Sequence, residues 1–268
     1  NKMKSKKPES IMASDEIALG KIAAELVFVE LKKCYDIGNL FVLGCPGGRT
    51  PRSTYSALAN LIKRNNQSLS HVVIAMMDDY AVQSNDASFN NVDIKSHFSC
   101  KKFAYDEIRD VLNGDLPDKN QILMSNVLIP DARDPKTFED TLMKLGVDIF
   151  LLASGASDGH VAFNGFGSGR NDRTRITPLS VETRKDNLKT FPDFSSLDEV
   201  PKYGVTVGPA TIVDVSKQAI MLLAGSEKNR AYKRISTATK YESDWPATII
   251  AECSNALIIA DKFAATSN

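Results

Sequence analysis

Five stretches of this chain are written as almost unbroken apolar runs: Asn39–Cys45 (NLFVLGC), His71–Met77 (HVVIAMM), Val147–Ser154 (VDIFLLAS), Lys217–Gly225 (KQAIMLLAG) and Ala256–Ala260 (ALIIA). A strand with one wet face alternates apolar and polar residues, whereas a strand covered on both faces has no polar side to write. Between these runs the apolar residues recur at helical spacing. They do so from Asp15 to Lys33, through Tyr55, Leu58, Leu61 and Ile62, from Phe138 to Leu145, and again after Glu227. Strands alternating with helices predict an α/β fold: a Rossmann-like, mainly parallel sheet with helices on both faces. Weaker signals predict a polar loop over Gln83–Asn91, a helix between Asp93 and Leu112, and a strand over Gln121–Ile129. In such a sheet the ligand lies outside the carboxyl ends of the strands, so the loops after Cys45, Met77, Ser154 and Gly225 matter most.

Composition narrows the partners. Lys plus Arg and Asp plus Glu number 33 each, so no global positive field steers the chain toward nucleic acid or an anionic membrane. Apolar runs such as Ile149–Ala153 and Ile220–Ala224 are far too short to span a bilayer. Cys34, Cys45, Cys100 and Cys253 share no close spacing, which favours reduced thiols over zinc ligands and a cytoplasmic setting. No Pro-, Gly- or Ser-rich linker divides the 268 residues. Asn1–Ser10 is lysine-rich, has no apolar stretch behind it that would make a signal peptide, and is expected to be disordered.

Each of the four loops carries polar groups suited to chemistry. Gly47-Gly48-Arg49-Thr50 opens a helix, where backbone N–H groups can face an anion at the positive end of the dipole. A Gly-Gly pair is more often only a turn, and this one lacks the GK[ST] of a P-loop and the GxGxxG of a dinucleotide site. Asp78-Asp79 ends a core-type strand and precedes Tyr80. Such a pair is either a solvated strand end or a carboxylate placed in the crevice as a general base. After the strongest strand the chain reads SGASDGHVAFNG, where Asp158 can orient His160 and leave its other ring nitrogen for proton transfer. The bland alternative is a surface histidine. Lys228, after Gly225-Ser226, could reach a phosphate over the glycine turn or be merely solvated.

Taken together, the blocks LGCPGGRTPRSTY (43–55), MMDDY (76–80), GASDGHVAFNGFGS (155–168), RTRITPLS (173–180), VPKYGVTVGPATIVD (200–214) and LLAGSEK (222–228) resemble the glucosamine-6-phosphate deaminase/isomerase family. That family lies within a wider group that includes the 6-phosphogluconolactonases. The resemblance covers most of the chain after about residue 39, and its DGHxAFN and VPKYxxTVG blocks are specific. It implies one sugar-phosphate isomerase-like α/β domain over residues 11–268, preceded by the disordered segment 1–10. It further implies Asp78 as the base that moves a proton between C1 and C2, with Asp79 beside it, and His160 with Asp158 as the ring-opening pair. The phosphate cradle falls on Gly47, Gly48, Arg49 and Thr50, assisted by Lys228 and by Lys189, which stands where the family has an arginine. Asn164 and Gly165 fall in the substrate site, and Ser168 and Arg175 match a second, allosteric phosphate site. The lysine that the allosteric members place two residues after that arginine is Thr177 here.

One departure stands out: the deaminases carry a glutamate directly after AFN, and this chain has Gly165. Losing a carboxylate there weakens the imidazole's hold on a proton. Three readings follow. The first is an aldose–ketose isomerase that deaminates an amino-hexose 6-phosphate with no metal or organic cofactor. The second is a lactonase in which His160 activates water; the missing glutamate favours it and the MDDY and VPKY blocks oppose it. The third is a sugar-phosphate sensor that kept the pocket. All three have a small phosphorylated sugar as partner, exclude nucleic acid and membrane, and are compatible with a homo-oligomer.

Overall fold

A computed structural model of the chain describes residues 6–266. Seven strands form one parallel sheet: β1 (Glu9–Ala13), β2 (Phe41–Cys45), β3 (Val72–Met76), β6 (Val127–Leu128), β7 (Ile149–Leu152), β10 (Ala219–Leu223) and β11 (Leu257–Asp261). Their spatial order is β1-β11-β10-β7-β2-β3-β6. Every residue of β2, β3, β7, β10 and β11 is buried, which is why the sequence writes them without polar alternation. Side chains nevertheless divide with period two. Phe41, Leu43, Ile149 and Leu151 point into one core, and Val42, Phe150 and Leu152 into the other.

The first core is closed by α1 (Glu16–Asp36) and α2 (Pro51–Asn65), together with a helical stretch over Cys100–Phe103, Ala104–Arg109 and Asp110–Asn113. Helix α1 starts where Asp15 accepts a hydrogen bond from the Ala18 amide at 2.8 Å. It lies so close to α2 that a Cβ on Gly20 would sit 2.6 Å from the Ser53 backbone. The stretch from Cys100 contains a π-helical segment, Ala104–Arg109. It begins only at Cys100 because Asp93 and Ser96 set turns before it. The helix expected from Asp93 is therefore shorter at its start. The second core is closed by Pro135–Leu145, Pro209–Val215, Asn229–Ser236 and the 3-10 segment Pro246–Glu252.

A second sheet, antiparallel, stands outside the expected architecture. Its order is β5-β4-β9-β8, with β4 (Asp78–Gln83), β5 (Phe89–Asn91), β8 (Arg175–Pro178) and β9 (Tyr203–Thr206). The expected loop Gln83–Asn91 is the β4–β5 hairpin, and the expected strand Gln121–Ile129 reduces to a 3-10 turn plus the two residues of β6. Glu9 and Ser10, assigned to the disordered segment, instead pair in parallel with Leu257 and Ile258, because an edge strand is held by its backbone ladder whatever its side chains. Residues 1–5 lie outside the described residues.

Sheet order locates the site. From β2 the chain moves outward to β3 and β6, then returns to the other side of β2 as β7 and continues to β10 and β11. The order reverses between β2 and β7, which opens a crevice beyond their carboxyl ends.

Candidate active site

That crevice holds a cavity of about 330 Å³. One end is the turn after β2. Gly48 has φ +95°, and the Tyr55 hydroxyl donates to the Pro46 carbonyl at 3.3 Å to brace the turn. A Cβ at Gly47 or Gly48 would meet nothing within 4 Å, so these glycines keep the approach to the backbone open. Helix α2 begins here with Pro51, no side-chain cap from Thr50 and no acid in its first turn. This first turn is the positive end of the α2 dipole.

Cations gather around this turn. Arg49 is exposed beside it, and Lys189 lines the same cavity from helix α6 (Val181–Thr190). Lys228 follows Gly225, whose amide donates to both carboxylate oxygens of Asp261 at 3.1 and 3.2 Å while its φ is +92°. The Lys228 ammonium donates to the Ser154 carbonyl. Burial lowers its pKa, Asp186 and Glu227 oppose that shift, and the nearby Arg49 adds to it. Among the described residues no carboxylate lies within ion-pair distance of Lys228 or Arg49. Neighbouring cations outside ion pairs at a helix N-terminus are suited to holding an anion.

The other end carries two side chains that can exchange protons, Asp78 and His160. Asp78 stands where β3 runs on through Met77 into β4, at the junction of the two sheets, and pairs with Thr206 across the second sheet. Its carboxylate is buried, with the Cys100 thiol 3.8 Å from Oδ1. Burial, and then the charge of Asp79, push its pKa up to about 7. A carboxylate in that range can both take and return a proton near neutrality.

His160 faces the same cavity from the loop after β7. Its Nδ1 lies 2.7 Å from Asp158 Oδ1, which leaves Nε2 without a protein partner among the described residues. Burial works against ionised Asp158, but the hydrogen bond and charge of His160 outweigh it and hold the carboxyl below its usual range. Two glycines make this loop possible. A Cβ on Gly155 would lie 2.2 Å from Asp158 Oδ1 and 2.3 Å from His160 Nδ1, and one on Gly159, at φ +69°, would lie 2.3 Å from the Trp245 ring. Ala162 at φ +52° is a backbone conformation that L residues rarely adopt.

Other residues singled out in the sequence lie elsewhere. Asp79 points away from the cavity: Oδ1 accepts from the Tyr80 and Cys100 amides at 2.9 and 3.0 Å, and Oδ2 from Asn91 at 2.9 Å. Alternation along β4 forces neighbouring acids to opposite sides. Asn164 is fully buried and structural, donating to the Val161 and Val207 carbonyls at 3.0 and 2.8 Å and accepting from Arg175 at 2.8 Å. Gly165 is not part of the cavity wall; its Cβ direction points at Ser180, 3.5 Å away. Arg175 is engaged by Asn164 and by Asp172 at 3.5 Å, while the Ser168 hydroxyl donates to the Gly165 carbonyl at 2.8 Å. Neither Ser168 nor Arg175 lines the cavity. Conversely, Glu16, Cys100, Asp186 and Asn187 line it although no sequence motif marks them. Only the sheet order and the course of α6 bring them there. Among the described residues no three His, Cys, Asp or Glu side chains converge as ligands for a metal ion.

Residues 14–259 match the profile of the family described as Glucosamine-6-phosphate isomerases/6-phosphogluconolactonase. A glucosamine-6-phosphate deaminase of Shouchella clausii is 30% identical over 246 residues, covering 91% of each chain. A glucosamine-6-phosphate isomerase of Candida albicans is 30% identical over 84% of this chain and 86% of its own. Among solved structures, a monomeric glucosamine-6-phosphate deaminase superposes with a TM-score of 0.79 at 27% identity, over 96% of this chain and 98% of the other. The 6-phosphogluconolactonase of Trypanosoma cruzi, 19% identical, shares the fold with a TM-score of 0.68 over 99% and 98%. With its α/β fold, its crevice at the sheet's switch point and this extent of sequence matched, the chain belongs to the glucosamine-6-phosphate isomerase/6-phosphogluconolactonase family of enzymes.

Proposed function

We propose that the protein isomerises and deaminates an amino-hexose 6-phosphate of the glucosamine-6-phosphate kind, releasing a ketose 6-phosphate and ammonia. The observation that carries this reading is the sharing of one cavity by Asp78, His160 and the Gly47–Thr50 turn with its cations, with Asp158 holding the imidazole from outside the cavity wall. The phosphate sits over Gly47–Thr50, held by α2 amides, Lys228, Arg49 and Lys189. That places the sugar's C1 and C2 toward Asp78 and His160.

His160 Nε2, free while Asp158 holds Nδ1, moves the proton between the C1 hydroxyl and the ring oxygen, so the hemiacetal opens to the aldehyde. Asp78 takes the C2 proton and returns it to C1. The electrons pass through an enolamine in which the aldehyde oxygen has taken up a proton; as C1 is reprotonated the amino group gives one up, and C2 becomes an imine that water converts to the ketone and ammonia. Substrate plus one water therefore gives ketose phosphate plus ammonia. The raised pKa of Asp78 suits a base that must give its proton back.

A second reading, hydrolysis of a sugar-phosphate lactone with His160 activating water, is favoured by Gly165, since lactonases keep the DGH core without the glutamate. An assay of glucosamine-, galactosamine- and N-acetylglucosamine 6-phosphates and 6-phosphogluconolactone, scoring ammonia, ketose phosphate and acid separately, tests both. Ammonia and ketose phosphate in equal amounts support the first reading. Acid alone, from the lactone, replaces it with the second.

A further inference from the structure

We propose that Asp186 is a positioning residue that supplies His160 with its second carboxylate, from α6 rather than from the segment after AFN. The inference deepens the proposed function and rests on it, because it assigns the group that supports the ring-opening imidazole.

Asp186 Oδ2 lies 3.9 Å from His160 Nδ1, the nitrogen that Asp158 already holds at 2.7 Å. Its side chain is 37% exposed, lines the cavity and makes no other ion pair among the described residues. The glycine after AFN offers no carboxylate, and the space it faces belongs to the start of α6. The Cβ direction of Gly165 points at Ser180, which caps the start of α6 and donates to Asp158 Oδ2 at 3.3 Å. Fewer than two turns further along the same helix, Asp186 reaches the imidazole. One helix thus steadies Asp158 with its cap and faces His160 with its acid. The other charged groups in the cavity are Asp78 from β4, Glu16 from α1, Arg49 from the turn before α2, Lys189 from α6, and Glu227 with Lys228 after β10. None of them is within ion-pair distance of the ring among the described residues.

A carboxylate this close to an imidazole favours its protonated form, by less where the carboxylate is partly exposed to solvent than where it is buried. When His160 takes the proton from the sugar hydroxyl, two carboxylates face the imidazolium instead of one. Asp186 also favours the charged form of Lys228, so a role confined to the phosphate end is the rival that the test must separate.

The test compares the wild type with Asp186→Asn, Asp186→Glu and the double variant Gly165→Glu/Asp186→Asn. The first readout is the rate at which diethyl pyrocarbonate, which attacks only neutral imidazole, modifies His160 at pH 6, resolved from His71 and His97 by peptide mass spectrometry. Asp186→Asn should raise that rate several-fold and lower kcat for the amino-sugar phosphate about tenfold, with KM changed less than about threefold. Asp186→Glu should stay closer to wild type, and the glutamate at 165 in the double variant should recover part of kcat. The proposal is overturned if a folded Asp186→Asn leaves the His160 rate unchanged, or if KM rises while kcat holds, which would tie Asp186 to Lys228 and the phosphate. If the wild type releases no ammonia, the functional reading fails, and the modification rate still decides whether Asp186 acts on His160.

Discussion

Replacing Asp78 by asparagine should make the protein more stable while abolishing the proton transfer assigned to it. The side chain is 6% exposed, lies beside Asp79, and has only the Cys100 thiol as a side-chain donor. Its pKa rises from 3.8 to about 7 on folding. The native protein therefore binds this proton more tightly than the unfolded chain does. The stability contributed by Asp78 is fully present below about pH 3.8 and is lost as pH rises through about 7. A shift of about 3 units at about 1.4 kcal/mol each amounts to about 4 kcal/mol between those limits. An amide of the same shape carries no such dependence, so the stability of Asp78→Asn relative to wild type should climb from pH 4 to pH 7 and level off above about pH 8. Urea denaturation at a series of pH values measures the difference directly, and solvent deuterium exchange at C2 of the substrate reports the chemistry. Parallel stability curves for the two proteins from pH 5 to 8.5 would refute the burial argument. Undiminished exchange in the variant would remove Asp78 as the base.

Lys228→Gln should raise KM for a phosphate ester roughly tenfold to a hundredfold with a smaller effect on kcat, since a charge-assisted hydrogen bond contributes about 1.5–3 kcal/mol; steady-state kinetics checks this. Gly159→Ala should cost more than about 2 kcal/mol, because a Cβ there meets Trp245 at 2.3 Å and the φ of +69° suits glycine, and thermal melting measures it. Gly47→Ala, by contrast, adds a Cβ that meets nothing within 4 Å, so the fold should melt within a degree or two of wild type while phosphate-ester affinity falls, as titration with inorganic phosphate would show.

The parallel sheet was legible because its strands are buried on both faces, so their identity is written in consecutive residues such as VVIAM and IFLL. The second sheet was not. Its strands β8 and β9 read RITP and YGVT, too short to carry a pattern; β9 finds its partner in β4, more than a hundred residues back, and β8 pairs only with β9. No window of sequence contains that pairing. The same limit applies to β1, whose ladder with β11 joins the two ends of the described chain.

The site divides along the same line. Groups grouped by a loop, such as Asp158 with His160 and Gly47 with Arg49, could be read from spacing, because two or three residues of chain fix their separation. Asp78 and Asp79 show where spacing misleads: adjacent in sequence, they are sent to opposite sides of β4, one into the cavity and one into a cage of amides. Asp186 shows the converse. Twenty-six residues separate it from His160, on a helix whose composition is that of an ordinary solvated face, yet the two lie within 3.9 Å. A carboxylate near an imidazole acts through distance and field, and neither depends on which segment delivers it. Gly165 alone therefore does not remove the second acid from His160, because a fold that places α6 against the loop after β7 can deliver the charge from a different segment.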